Sequence, residues 1–414
     1  MVQSSPELRR TLGVGDAVLI GLGSMIGAGI FAALGPAARA AGSGLLLGLA
    51  VAAVVAYCNA MSSARLAALY PASGGTYVYG RERLGVFWGY LAGWSFVVGK
   101  TASCAAMALT VGAYVWPTHA HAVAVTAVVV LTAVNYGGMQ KSAWLTRAIV
   151  AVVLAVLASV VVGCLGSDVS DAGRLGIGLS SGAGGVLEAA GLLFFAFAGY
   201  ARIATLGEEV RDPAHTIPRA IPLALGIALV VYAAVAVAVL SVLGSAGLGL
   251  APAPLVDAVR AAGLPGLVPV VRVGAAVAAL GSLLALILGV SRTTLAMARD
   301  RHLPGALATV HPRFRVPHRA ELAVGVMVAA LAATVDVRGA IGFSSFGVLA
   351  YYAVANASAW TLSSAPASRV VPVLGLLGCV TLAFALPGRS VVVGAAVLAV
   401  GAAAYGVRLW AASR

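Results

Sequence analysis

The stretch Gly23 to Phe31, GSMIGAGIF, lies in an apolar run that starts near Gly13 and continues past Leu34, with Gly21, Gly23, Gly27 and Gly29 at its middle. A run of this length exceeds the roughly 20 residues needed to cross hydrocarbon and should be a membrane helix. Each glycine weakens such a helix by about 1 kcal/mol relative to alanine. A helix broken at mid-depth strands backbone N–H and C=O groups at several kcal/mol each unless protein, water or a ligand supplies partners. The chemistry these stranded groups offer is recognition of a small zwitterion. A second half-helix starting near Gly27 would present free N–H groups and a positive dipole end to a carboxylate, while carbonyls released near Gly23 to Ile26 would receive an ammonium. Charge-assisted bonds of this kind contribute about 1.5–3 kcal/mol each and need no charged side chain.

A second stretch repeats the pattern five spans later. Leu192 to Tyr200, LLFFAFAGY, brings Gly199 into another apolar run and would free the carbonyls of Phe195 to Ala198. Interrupted spans at matching places in two halves point to a transporter built from inverted repeats, whose broken helices meet at a midplane site. Five spans make an odd-numbered repeat, so the second copy must be upside down. Glycines in membrane helices also allow close helix packing, but the paired location favours the site.

The elements that must hold these stretches follow from composition. The chain has 414 residues, 61% hydrophobic and 9% charged, against roughly 25% charged in soluble domains, and its mean hydropathy is +1.02. An all-α integral membrane protein is expected, with about twelve transmembrane helices near 13–40, 44–69, 85–115, 119–135, 146–166, 183–207, 219–244, 267–296, 320–335, 339–362, 370–387 and 390–410. The implied organisation is a tail (1–12), a first five-helix repeat (13–166), a second, inverted one (183–362) and two additional helices (363–414). Helices 1 and 6 are the discontinuous ones. The net charge of +13 does not mark a nucleic-acid binder, because the basic residues alternate with the spans. Of 26 Lys and Arg, eighteen fall on the side of the N-terminus, six on the other side, and Lys100 and Arg202 within spans. The positive-inside rule then makes the chain a multi-pass protein of the cytoplasmic membrane with both termini cytoplasmic. Cys58, Cys104, Cys164 and Cys379 stand singly in apolar segments, and neither a metal nor a cofactor is expected. No HExxH, Walker loop or nucleophile with its base marks an enzyme, and no repeated pore segment marks a channel.

Several charged residues need an explanation at membrane depth. Lys100 lies fifteen residues into the third span, about 22 Å along the helix axis, too deep to snorkel easily, and is expected to face the bundle as a titrating group or as a fixed cation on the carbonyls of a broken helix. Arg202, near Glu208 and Glu209, with Asp16 at the start of the first span, is a candidate inner-gate ion-pair network; a snorkelling Arg202 is the plain alternative. Glu188 enters the sixth span from the opposite side. YPASGGTYVY (70–79) reads as an interfacial turn, the six histidines read as solvated loop residues, and the basic loop around MARDRHLP and HPRFRVP is placed to touch anionic lipid.

The motifs GSMIGAGIF (23–31), YPASGGTYVYGRERLG (70–85), GYLAGW (89–94), FFAFAGY with EEVRDPAHTIPRAI (208–221), and SRTTLAMARDRHLP (291–304) resemble those of the amino acid–polyamine–organocation (APC) permeases, in order along nearly the whole chain. The resemblance implies two inverted five-helix repeats plus two helices, and alternating access of amino acids or related amines. By motif position, Ser24, Ile26, Gly27, Ala28 and Gly29 would face substrate from the first span, and Phe195, Ala196, Phe197 and Ala198 from the sixth, with Phe195 at an aromatic gate. Ala102, Ser103 and Gly281 are weaker candidates. Many members carry Glu after the glycine–aromatic pair where this chain has Ala201, and many proton-coupled members carry a lysine in the fifth span where this chain has Val153. The expected function is a permease moving an amino acid, with protons as a candidate coupling ion. Polyamine or organic amine transport, exchange, and a non-transporting amino-acid sensor are the alternatives. Membrane lipids are expected partners, and oligomeric state is not legible.

Overall fold

The structure is a computed structural model and describes residues 12–70, 74–138, 143–176, 178, 181–204 and 210–412. These residues form helices without a strand ladder, joined by one isolated parallel bridge between Leu12 and Val210. The first crossing consists of α1 (Val14–Met25), α2 (Ala28–Ala32) and α3 (Leu34–Ala41). After it come α4 (Leu45–Leu69), the short α5 (Thr76–Leu84), α6 (Val86–Val115), α7 (Ala120–Tyr136) and α8 (Ala143–Leu165). The second half begins with α9 (Gly182–Phe197) and α10 (Ala201–Ala204) and continues with α11 (Pro213–Leu250), α12 (Pro254–Ala261), α13 (Val268–Arg299), α14 (His318–Thr334) and α15 (Val337–Trp360). Two more, α16 (Pro366–Ala385) and α17 (Gly388–Ala412), complete it.

Among the described residues, eleven helical segments are long and apolar enough to cross a membrane. The 17-residue α14 falls on the span expected at 320–335 and packs against α7, α6 and α13. The fold is therefore an all-α integral membrane architecture of the expected kind. The buried centre is made by α6, on which α13 and α15 pack most extensively, with α4, α9 and α11 forming a second packed group around α1 to α3. Small residues allow these approaches. A β-carbon on Gly99 of α6 would stand 3.2 Å from the backbone of Gly347 in α15, the close backbone contact that small residues permit between membrane helices.

Three local readings differ from expectation. The YPASGGTYVY stretch is a helix from Thr76 onward rather than a turn; Gly75, at φ 56°, supplies its start. The seventh crossing begins at Pro213, where the missing N–H of proline costs nothing in a first turn, and runs to Leu250 with a break at Gly244, φ 64°. The connection expected at 245–266 contains the amphipathic α12. Short helices with Pro at the first turn are easily mistaken for loops when hydropathy alone is read.

Candidate functional site

The first crossing is broken where the glycines lie. α1 ends at Met25; Ile26, at φ −80° and ψ 58°, and Gly27, at φ −111° and ψ −139°, leave helical geometry before α2 resumes at Ala28. α2 passes through Ala33, still right-handed, into α3. The N–H groups of its first turn, Ala28 to Ile30, therefore have no preceding helical carbonyl to receive them. The sixth crossing departs more gently. α9 ends at Phe197 and tightens into a 3₁₀ turn, Ala198–Tyr200, before α10. That change of pitch is enough to present carbonyls sideways to other helices.

The two departures meet. A β-carbon on Gly29 would lie 2.6 Å from the Cα of Ala196, and one on Gly199 would lie 2.7 Å from the N of Met25. Glycine at both positions is what lets the two backbones touch. A third wall is α13: a β-carbon on Gly27 would meet the Ser282 side chain, and the Ser282 hydroxyl donates to the Gly23 carbonyl at 3.3 Å. From α8, Val150 packs beside Gly23, and Val153 is fully buried.

Side-chain donors collect on the released carbonyls. The Tyr232 hydroxyl of α11 lies 2.6 Å from Met25 O and 2.9 Å from Ala196 O, so one donor bridges the broken first crossing and the sixth. Its single proton serves one carbonyl at a time, and Met25 O also accepts from the Gly27 N–H at 2.8 Å. Lys100 of α6, 7% exposed, donates from Nζ to Ala198 O at 3.2 Å. One turn along α6, Ser103 Oγ lies 2.5 Å from Ser344 Oγ of α15, tying the third crossing to the tenth. On the far side of the break, Tyr114 donates to Phe31 O at 2.8 Å. Ser282, Tyr232, Tyr114 and Ser344 bond to or beside the two departures, and sequence reasoning did not single them out. A serine or tyrosine in an apolar run has no spacing signal to mark it, although Ser282 is next to the candidate Gly281.

The expected substrate-facing residues are placed as follows. Ile26, Gly27, Ala28, Gly29, Phe195, Ala196, Phe197 and Ala198 are all buried at or beside the two departures. Ser24 turns its hydroxyl back to Ile20 O at 3.0 Å, so its side chain serves its own helix. Phe197 meets Tyr232 edge to face at 5.1 Å. Asp16 accepts from Arg147 of α8 and from the Gly13 N–H at 3.2 Å, Arg202 is exposed, and Glu208 and Glu209 lie outside the described residues. On the opposite side, Arg338 of α15 donates to Glu188 of α9 at 2.7 Å.

The amino acid permease family model matches residues 16–408. An uncharacterized transporter of Mycobacterium tuberculosis is 76% identical over 404 residues, covering 97% of this chain and 92% of that protein. The branched-chain amino acid permease BcaP of Bacillus subtilis is 26% identical over 411 residues, covering 91% and 88%. A methylthioribose transporter of the same organism is 27% identical over 417 residues, covering 93% and 90%. A broken first crossing lying backbone to backbone on a sixth, with the family match spanning both, leads to one assignment: the chain is an APC-type transporter and belongs to the amino acid permease family.

Proposed function

We propose that this permease carries a neutral α-amino acid with a small side chain, by alternating access of two inverted repeats, residues 13–166 and 183–362, in the cytoplasmic membrane with both termini inside. The observation that carries the reading is the contact of the two departures, Gly29 on Ala196 and Gly199 on Met25. It puts the first-turn N–H groups of α2 and the carbonyls of Met25 and Ala196 in one place, and an α-amino acid brings both complementary charges one carbon apart. The Tyr232 hydroxyl serves one of those carbonyls at a time, Met25 O also accepts from the Gly27 N–H at 2.8 Å, and an ammonium is a further charged donor for the pair.

Lys100 bears on both selectivity and coupling. Its contact with Ala198 O supports a cation held at the sixth-crossing turn that titrates during transport, taking the role that Val153 leaves empty. A cation there opposes a dicationic polyamine through like-charge repulsion. The apolar, small residues around the breaks favour a compact side chain. Proton symport is the coupling we propose, with Lys100 as the group whose removal uncouples it.

Counterflow in proteoliposomes with a panel of radiolabelled amino acids and amines, with and without a pH gradient, tests the reading. Exchange of small neutral amino acids, stimulated by an inward proton gradient, is expected. Binding without flux would make the protein a sensor, and preference for polyamines would overturn the substrate class.

A further inference from the structure

Away from the first and sixth crossings, a cleft of about 570 Å³ opens between the start of α6, the loop after α13 and the end of α17, lined by Tyr90, Trp94, Arg301, His302, Tyr405 and Arg408 among others. We propose that this cleft binds the phosphate headgroup of an anionic phospholipid from the leaflet on the N-terminal side. The inference is independent of which solute the permease carries.

The charge balance in the cleft calls for an anion. Its walls carry two guanidinium groups and an imidazole. The neighbouring acid, Asp300, is engaged by the Tyr77 hydroxyl at 2.5 Å and by Arg81 at 3.3 Å, which leaves Arg301 and Arg408 without a described carboxylate partner. Guanidinium rather than ammonium is the group whose planar fork grips phosphate oxygens two at a time. Arg301 holds φ 58°, a left-handed conformation that costs a non-glycine residue energy, and it is fixed there by its N–H on Ala298 O at 3.1 Å and by the next N–H, of His302, on Met297 O at 2.7 Å.

The cleft is preformed. Tyr90 donates to Gly401 O at 3.0 Å and Trp94 to Val397 O at 2.9 Å, so both aromatic side chains spend their polar groups on the α17 backbone and offer their rings as wall. The surroundings favour a lipid over a free phosphate ion. The lip continues onto lipid-facing surface, where Val86, Trp88, Val407 and Trp410 are between 45% and 66% exposed. An acyl chain leaving the headgroup has an apolar track along the helices, and aromatic residues at this level are the usual membrane-interface anchors.

The test uses the full-length protein in nanodiscs or detergent with native mass spectrometry, comparing phosphatidylglycerol with phosphatidylcholine. The wild type is expected to retain phosphatidylglycerol preferentially. The Arg301→Gln/Arg408→Gln pair should lose that preference by on the order of tenfold or more, as expected when two charge-assisted contacts go. Arg301→Lys/Arg408→Lys, which keeps the charge and guards against misfolding, should lose part of it. Arg369→Gln, outside the cleft, should lose none. Inorganic phosphate at millimolar concentration should fail to displace the lipid. Equal retention of both lipids by the wild type, an unchanged preference in the folded glutamine pair, or binding of inorganic phosphate in place of lipid would each overturn the proposal.

Discussion

Lys100 Nζ lies 3.2 Å from the carbonyl oxygen of Ala198, joining the middle of α6 to the 3₁₀ turn of the sixth crossing. A buried cation held by one carbonyl is poor in stabilising energy, because its desolvation offsets most of the attraction. Lys100→Met, of similar volume, should therefore leave thermal stability unchanged or raised. It should still abolish stimulation of uptake by a proton gradient, because the turn then has no group that gains and loses a proton. Lys100→Arg should keep stability and a small part of the flux. Uptake with and without a pH gradient, read beside Tm, separates these effects; gradient-driven uptake that survives in Lys100→Met would show the lysine to be idle.

The contact between the broken first crossing and the sixth sets a steric prediction. Gly29→Ala places a β-carbon 2.6 Å from the Cα of Ala196. Backbone cannot swing aside as a flexible side chain does, so the two crossings must separate, at a cost of about 1–3 kcal/mol or more. Flux should fall by at least tenfold. Gly226→Ala, in the interior of α11 with nothing within 4 Å of the added carbon, should instead gain up to about 1 kcal/mol from helix propensity. Comparable losses in both would mean that glycine content in general matters, and the contact does not.

How much of this was legible in the sequence depends on the kind of signal. The crossings show as apolar runs because hydrocarbon demands a fixed length, and the break at Gly27 shows because glycine in mid-span is costly. The turn at Ala198 was placed by its matching position to the first break. The donors that complete the site were not visible. Tyr232 sits 36 residues beyond Ala196 and 207 beyond Met25, and such partners are set by helix packing rather than by local pattern. The partner of Asp16 was missed for the same reason: Arg147 belongs to α8, and only the fold brings α8 beside α1.

Tyr232→Phe tests the shared hydroxyl. It removes the only donor that spans Met25 O and Ala196 O among the described side chains while keeping the ring that packs on Phe197. Met25 O keeps the Gly27 N–H at 2.8 Å, so the loss falls mainly on Ala196 O, where one net hydrogen bond is worth about 1 kcal/mol. If the substrate ammonium competes with this hydroxyl for the same carbonyls, the loss appears in stability of the empty protein and is partly returned on binding. Tm should drop in buffer and recover further with saturating substrate than the wild type does. An equal substrate-induced shift in both proteins would separate the hydroxyl from the site.

Glu321, fully buried in the first turn of α14, has no hydrogen-bond donor for either carboxylate oxygen among the described residues. An ionised group so placed is expensive, and a neutral amide of the same shape is less so. Glu321→Gln should be neutral or stabilising by thermal denaturation. A marked destabilisation would indicate that the carboxylate charge is used, with Arg292 of α13 the cation in reach.

His302 makes the loop after α13 sensitive to pH. Its ring lies 2.8 Å from the Tyr77 hydroxyl and edge-on to Tyr90. Burial, then the Arg408 charge, hold its pKa below the ordinary value, with Asp300 opposing and Arg81 assisting. Burial and Asp300 push the Tyr77 phenol up, so it stays a donor throughout. The folded protein thus binds the His302 proton less readily than the unfolded chain, whose histidine titrates near 6.5. The stability from this group is present above that pH and is lost as pH falls through the lower folded value. Tm of the wild type should fall between pH 7 and pH 5 by more than that of His302→Gln. An anionic headgroup beside Arg408 cancels the repulsion that helps hold the ring neutral, so phosphatidylglycerol should flatten this dependence where phosphatidylcholine leaves it. A wild-type profile parallel to that of His302→Gln in phosphatidylcholine would place the sensitivity elsewhere.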